Sequence, residues 1–317
     1  MLLIKPKIRF LRCLGTGGFG SVYLGEIESE DGLHQHIAIK LLNEEMSANN
    51  DIVARQRDEA RLLGMLNHDN IVKVFDLGTI DGKTAVFMEY IEGVDLRALT
   101  KERKLPSKIA ILIGASVAGA LQAAQNTINP NTGLPLSVIH RDIKPANILL
   151  SISGITKVLD FGIAKGNLDR EGLTQSVQFG TAQFMAPEQL LFGEQNTSVD
   201  IFALGLTLWN LITGKRHPRL PLQKASFESK VLELIDEIPT ELKQVGMDNI
   251  LHRMMAFHPS DRCSPQWAEL ELLHISDKMQ GPSMSQYAHA AVSEILKQNS
   301  SNRQAVPSPT QSSNISI

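Results

Sequence analysis

The chain has 317 residues, of which 43% are hydrophobic and 21% charged, and a formal net charge of −3. That is long enough to bury a large core in two lobes or domains, and the near balance of charge speaks against a general nucleic-acid or membrane-surface binder. Two cysteines, Cys13 and Cys263, without C-x-x-C spacing argue against a disulfide framework or a zinc knuckle and fit reduced thiols in a cytoplasmic protein.

The first ninety residues read mostly as strands. "IRFLRCLG" and "GSVYLGEI" are short alternating runs separated by glycines, which predicts a hairpin. "HIAIKLL" is a further strand, and "NDIVARQRDEARLLGML" carries apolar residues at helical spacing. "IVKVFDLGTIDGKTAVFMEY" reads as two strands joined at Asp81-Gly82, a strong turn dipeptide. The pattern then becomes helical, with a junction at residues 89–93. "IAILIGASVAGALQAA" and "IFALGLTLW" are apolar runs short of the about 20 residues a membrane span needs, so both are expected to be buried helices. The opening "MLLIKPKIRF" meets Lys5 and Pro6 too early for a signal peptide, so neither an export segment nor a membrane anchor is expected. From about Gly281 the composition shifts. "SQYAHAAVSEILKQ" suggests a short amphipathic helix, and "NSSNRQAVPSPTQSSNISI" is too poor in large apolar residues to offset its ordering entropy.

Five short motifs carry chemistry. "GTGGFG" is a glycine-rich loop whose backbone N–H groups can approach phosphate oxygens. A strand follows it where a dinucleotide-binding turn would need a helix, so it reads as a glycine-rich hairpin closing over phosphates. "IAIK" sets Lys40 on a strand, a point charge for phosphate that needs a carboxylate to hold it; Glu59 on the following helix is the candidate. "VIHRDIKPANILL", residues 138–150, begins and ends apolar like a buried strand pair, yet holds His140, Arg141, Asp142, Lys144 and Asn147. Buried unpaired charge is costly, so these groups have strong partners or handle a charged ligand. "VLDFG" adds Asp160, and "APE" ends at Glu188. Asp142, Asn147 and Asp160 are hard oxygen donors or a base, of the kind Mg²⁺ takes.

The motifs stand in the order glycine loop, strand lysine, helix glutamate, HRD, DFG, APE. In this the chain resembles the eukaryotic-like Ser/Thr protein kinase superfamily, in the wording of its bacterial members. The resemblance covers residues 8–275 and implies an α+β, bilobal fold: an antiparallel β-sheet N-lobe (8–90) carrying one helix, the family's helix C, and a mainly α-helical C-lobe (91–275). Residues 276–317 are then a tail with a short helix followed by disorder.

The resemblance implies a serine/threonine protein kinase that transfers the γ-phosphate of ATP with Mg²⁺. The glycine loop Gly15, Thr16, Gly17, Gly18, Phe19, Gly20 and Ser21 should cover the nucleotide, and Leu14, Val22, Ala38 and Leu149 should sandwich its base. Backbone groups of Glu89 and Ile91 should meet the base edge, with Met88 as gatekeeper. Lys40 should hold the α and β phosphates and pair with Glu59. Asn147 and Asp160 should ligate Mg²⁺, Asp142 should act as base, and Lys144 should neutralise the γ-phosphate. Asp200 should brace the HRD backbone, Glu188 should pair with Arg262, and Thr181 should contact base and lysine. Arg141 before the base points to activation by phosphorylation at Thr174 or Ser176. Lys144 two positions after Asp142 resembles the Ser/Thr branch. Residues 127–137 look like an enlarged loop, and residues 213–262 look shorter than in many members. The partners implied are protein substrates and transient self-association for autophosphorylation, with no nucleic acid, in cytoplasmic signalling. The alternatives are a pseudokinase-type nucleotide-binding scaffold or a small-molecule kinase.

Overall fold

The structure, a computed structural model, describes residues 7–17, 20–28, 32–43, 50–101, 104–161, 181–301 and 315–316. The chain divides into two compact units. One comprises Met1–Asn67, Val72–Glu92 and Gln298–Ile317; the other comprises His68–Ile71 and Gly93–Lys297.

The first unit is an antiparallel sheet with one helix. It contains β1 (Lys7–Gly17), β2 (Gly20–Glu28), β3 (His34–Leu42), α1 (Asn50–Met65), β4 (Val74–Ile80) and β5 (Lys83–Glu89), with strand order β1-β2-β3-β5-β4. A two-residue strand at Ile315–Ser316 pairs with the outer edge of β4. The β4–β5 hairpin turns at Asp81 (φ 49°) and Gly82 (φ 77°); a two-residue turn needs positive φ at both positions, which is why that dipeptide marks it. Alternation along the strands puts Ile37, Ile39, Leu41, Ala85 and Phe87 on one face, where with Ile80 they form a buried cluster. Ile8, Phe10, Tyr23 and Ile27 pack against it. Each fully buried side chain of this size contributes about 1.5–3 kcal/mol, so this face sets the register of the sheet.

The second unit is mainly helical. It contains β6 (Gly93–Asp95), α2 (Leu96–Thr100), α3 (Ser107–Asn126), β7 (Ile148–Ser151), β8 (Thr156–Val158), α4 (Pro187–Leu190), α5 (Ser198–Thr213), α6 (Lys224–Asp236), α7 (Thr240–Gln244), α8 (Met247–Met254), α9 (Pro265–Asp277) and α10 (Met284–Ser301). Strands β6, β7 and β8 form a small antiparallel sheet. Helix α3 spans 20 residues, longer than the apolar run suggested, and by length and composition it could cross a membrane; 67% of its apolar window is buried inside the protein. Close packing explains its glycines: a Cβ at Gly114 would stand 2.5 Å from Leu208 of α5.

Two expectations need revision. Residues 138–144 form no strand; only the segment after Asn147 does. The region after residue 275, expected to carry only a short helix, contains the 18-residue α10. Ala288, Ala291 and Val292 on α10 are buried.

Candidate active site

The loop before β7 owes its shape to one buried carboxylate. Arg141 has φ 63°, a conformation that no strand continues through. The backbone donors freed there find Asp200, on the first turn of α5, whose two oxygens accept the N–H of His140 and of Arg141, both at 2.7 Å. A buried donor must be paired, and Asp200 takes the place of a strand partner. Burial pushes the pKa of Asp200 up from 3.8 to about 7, against the pull of these two bonds.

His140 is fully buried beneath the loop. Its Nδ1 accepts the Asp142 N–H at 3.2 Å, so its Nε2 carries the proton and donates to the Leu159 carbonyl at 2.8 Å. Its ring lies 4.5 Å from that of Phe161. The histidine thereby ties the loop to the residues just before and after Asp160.

Asp142 collects the charge. Lys144 Nζ donates to both of its carboxylate oxygens at 3.0 Å. Asn147 Nδ2 donates to Asp142 Oδ2 at 2.8 Å and to its backbone carbonyl at 2.9 Å. Asn147 ends the short 3-10 turn Pro145–Asn147, and its carbonyl accepts the Leu159 N–H at 2.8 Å. This closes the base of the β7–β8 hairpin and delivers the exposed Asp160, with φ 47°.

The donor set suits magnesium. Both amide hydrogens of Asn147 are engaged by Asp142, which leaves Oδ1 as the oxygen it could offer a metal; the Asp160 carboxylate is a second hard oxygen donor. No group of three or more His, Cys, Asp or Glu able to hold a metal occurs among the described residues. A Mg²⁺ ion held here would depend on phosphate and water for the rest of its shell.

In the first unit, the register places the nucleotide candidates on one face. Val22 pairs with Lys40, Leu24 and Met88 with Ala38, and Val86 with Lys40. Val22, Ala38, Lys40 and Met88 therefore share the face opposite the buried cluster. Leu14, Gly15, Thr16 and Gly17 stand exposed at the end of β1, and Gly20, Ser21 and Val22 start β2. Gly20 is required by packing, because a Cβ there would overlap the Leu41 carbonyl oxygen. The Glu89 N–H donates to the Lys73 carbonyl at 2.9 Å, so the N–H is not the backbone group that a base-edge role can use. Ile91 follows β5, and Leu149 lies half-buried on β7 in the second unit.

Several candidates lie outside the described residues: Gly18, Phe19, Thr174 and Ser176. Glu59 sits on α1 and Thr181 begins the 3-10 turn Thr181–Phe184, but the side chains of both also fall outside. Glu188 and Arg262 meet as a two-bond ion pair. Sequence reasoning passed over Asn70, whose Nδ2 donates to the Thr156 carbonyl and whose own carbonyl accepts the Val158 N–H, both at 2.8 Å. It anchors β8, and its only sequence signal is an amide set against the apolar run "IVKVF".

Comparison with known proteins gives a consistent set of matches. The protein kinase domain family matches residues 8–313, well past residue 275 and through α10. A probable serine/threonine-protein kinase of Clostridium perfringens is 37% identical over 215 residues, 67% of this chain and 29% of that protein. Tyrosine-protein kinase MasK of Myxococcus xanthus is 36% identical over 266 residues, 80% of this chain and 40% of that protein. The chain thus spans less than half the length of these curated relatives. Among solved structures, the PknI kinase domain of Mycobacterium tuberculosis is similar with a TM-score of 0.62 at 25% identity, covering 86% of this chain and 98% of that one.

Proposed function

The chain belongs to the protein kinase family, and on that premise we propose that it transfers the γ-phosphoryl group of ATP to serine and threonine hydroxyls of protein substrates. The observation that carries the reading is the buried Asp142 carboxylate, held between Lys144 and Asn147. Two partners fix its orientation, so it can take up a hydroxyl proton without first reorganising. Lys144, already beside it, is a mobile cation that can follow charge as it develops on the transferred group.

Asn147 Oδ1 and Asp160 would hold Mg²⁺. When bound, the metal supplies positive charge against the phosphate oxygens. Lys40 is assigned to the α and β phosphates and Glu59 to Lys40. Leu14, Val22, Ala38 and Leu149 are assigned to the base. The choice of serine and threonine rests on Lys144, since one relative is named a serine/threonine kinase and another a tyrosine kinase.

We place regulation at Thr174 and Ser176. What supports this is Arg141, whose buried Nε has no hydrogen-bond partner and whose guanidinium has no ion pair among the described residues. A phosphate of about −2 charge is the partner such a group lacks. The free thiols Cys13 and Cys263 fit a cytoplasmic setting, where the chain would act on signalling proteins and, in transient pairs, on itself. The test is incubation of purified protein with Mg²⁺, ATP and a generic basic protein, followed by phosphoamino-acid analysis. Phosphoserine and phosphothreonine are expected. Phosphotyrosine alone would overturn the hydroxyl assignment, and ATP binding without transfer would favour the scaffold alternative.

A further inference from the structure

The β7–β8 hairpin has two ends. Its open end carries Asn147 and, through Leu159, Asp160. Its closed end is a tightly bonded turn: Ser151 N–H donates to the Ile155 carbonyl at 2.9 Å and Gly154 N–H to the Ser151 carbonyl at 3.0 Å. Ile155 N–H donates to Ser151 Oγ at 2.8 Å. Gly154 has φ 91°, and a Cβ there would stand 2.8 Å from both the N and the Cα of Ser285. The turn is therefore pressed onto the backbone of the first turn of α10. Ile152 and Ser153 face Ser285, Gln286 and His289 across the same junction.

Helix α10 is held there by its own sequence. Ser283 Oγ accepts the Gln286 N–H at 3.3 Å, and Gln286 Oε1 accepts the Ser283 N–H at 3.1 Å, a reciprocal capping box. Ala288, Ala291 and Val292 are spaced to share one helix face, and all three are buried. Just before the helix, Lys108 Nζ of α3 donates to the Met279 carbonyl at 2.9 Å. Helices in proteins owe most of their stability to packing of one face, so docking is what maintains it.

We propose that α10 is a positioning element for the metal-binding residues, clamping the β7–β8 turn so that Asn147 and the approach to Asp160 stay in place. What those residues bind rests on the function proposed above. The lever is short: β7 has four residues and β8 three, which puts the clamped turn roughly 13 Å from Asn147 at about 3.3 Å per residue. Asn147 in turn orients the Asp142 carboxylate, so the clamp reaches the base through one side chain. Undocking a helix that merely adds stability would lower the unfolding temperature and leave the hairpin unchanged below it.

The test uses the full chain with Ala288→Glu and Ala291→Glu, which place charge in the buried face of α10 far from Asp142, Asn147 and Asp160 in sequence. Hydrogen exchange across residues 147–160 is measured well below the unfolding temperature of the variant, beside the affinity for ATP with and without Mg²⁺. The hairpin amides should exchange at least tenfold faster. ATP affinity should weaken severalfold with Mg²⁺ and stay unchanged without it. Unchanged hairpin exchange, with α10 itself exchanging faster, would overturn the clamp. If the double variant does not fold, Ser283→Ala with Gln286→Ala removes only the cap, and the same two outcomes apply. Failure of the parent protein to bind ATP at all would count against the proposed function, while hairpin exchange would still decide the clamp.

Discussion

Arg262 and Glu188, 74 positions apart, meet through two parallel hydrogen bonds, Nη1 to Oε1 at 2.6 Å and Nη2 to Oε2 at 2.9 Å. The arginine side chain is fully buried. Its Nε also donates to the Ala256 carbonyl at 2.9 Å, and its Cζ lies 4.9 Å from the centre of the Phe202 ring. The pair ties the segment after Thr181 to the α8–α9 connection. A bidentate guanidinium–carboxylate pair is strong and geometrically specific.

Removing one partner leaves the other charge stranded. Arg262→Ala should destabilise the protein by about 3–5 kcal/mol, read by denaturant unfolding. Replacing both residues by leucine should recover part of that loss. A cost under about 1 kcal/mol for Arg262→Ala would show that the pair is solvated like a surface ion pair.

Asp200 makes stability depend on pH. Its folded pKa is raised from 3.8 to about 7, so between those values the folded chain keeps a proton that the unfolded chain has released. Its contribution is therefore largest at low pH, falls as pH rises from about 4 to about 7, and is level above. The stability advantage of the parent over Asp200→Asn should shrink between pH 5 and pH 7.5. An advantage that stays flat would show that the His140 and Arg141 N–H groups hold the carboxylate ionised throughout.

Arg141 is the reason to expect a switch. After incubation with ATP, intact-mass and peptide analysis should find phosphate at Thr174 or Ser176, and Thr174→Ala with Ser176→Ala should lower activity at least tenfold. A double variant as active as the parent, with no phosphate found on residues 160–188 of the parent, would remove this regulation.

Much of the architecture was legible in the residues. Alternation and the Asp81-Gly82 turn marked the sheet, and the motif order tied Asp142, Asn147 and Asp160 together before any geometry was known. Residues 138–144 misled because apolar flanks look alike whether a segment pairs with a strand or with a side chain; the partner, Asp200, lies 60 positions from His140. The role of Gly20 was half visible, because a glycine's packing against a neighbouring strand has no signature of its own. Helix α10 was underestimated because alanines at 288 and 291 look weakly apolar, although at close packing a small side chain buries well. Its capping box, Ser283 with Gln286, matches a sequence pattern that was passed over. Docking against Gly154 was not legible, since it joins residues 131 positions apart.

Asp142 is assigned the role of base in the proposed phosphoryl transfer. Asp142→Asn keeps the side chain's size and its place beside Lys144 and Asn147 while removing the negative charge. The direct measurement is the single-turnover rate of phosphate transfer to a protein substrate, beside the dissociation constant for Mg²⁺·ATP, in parent and variant. The expected rate is lower by several orders of magnitude with nucleotide affinity within a few fold, because the base acts on the hydroxyl and leaves ATP binding to other residues. Equal transfer rates in the two proteins would contradict that role.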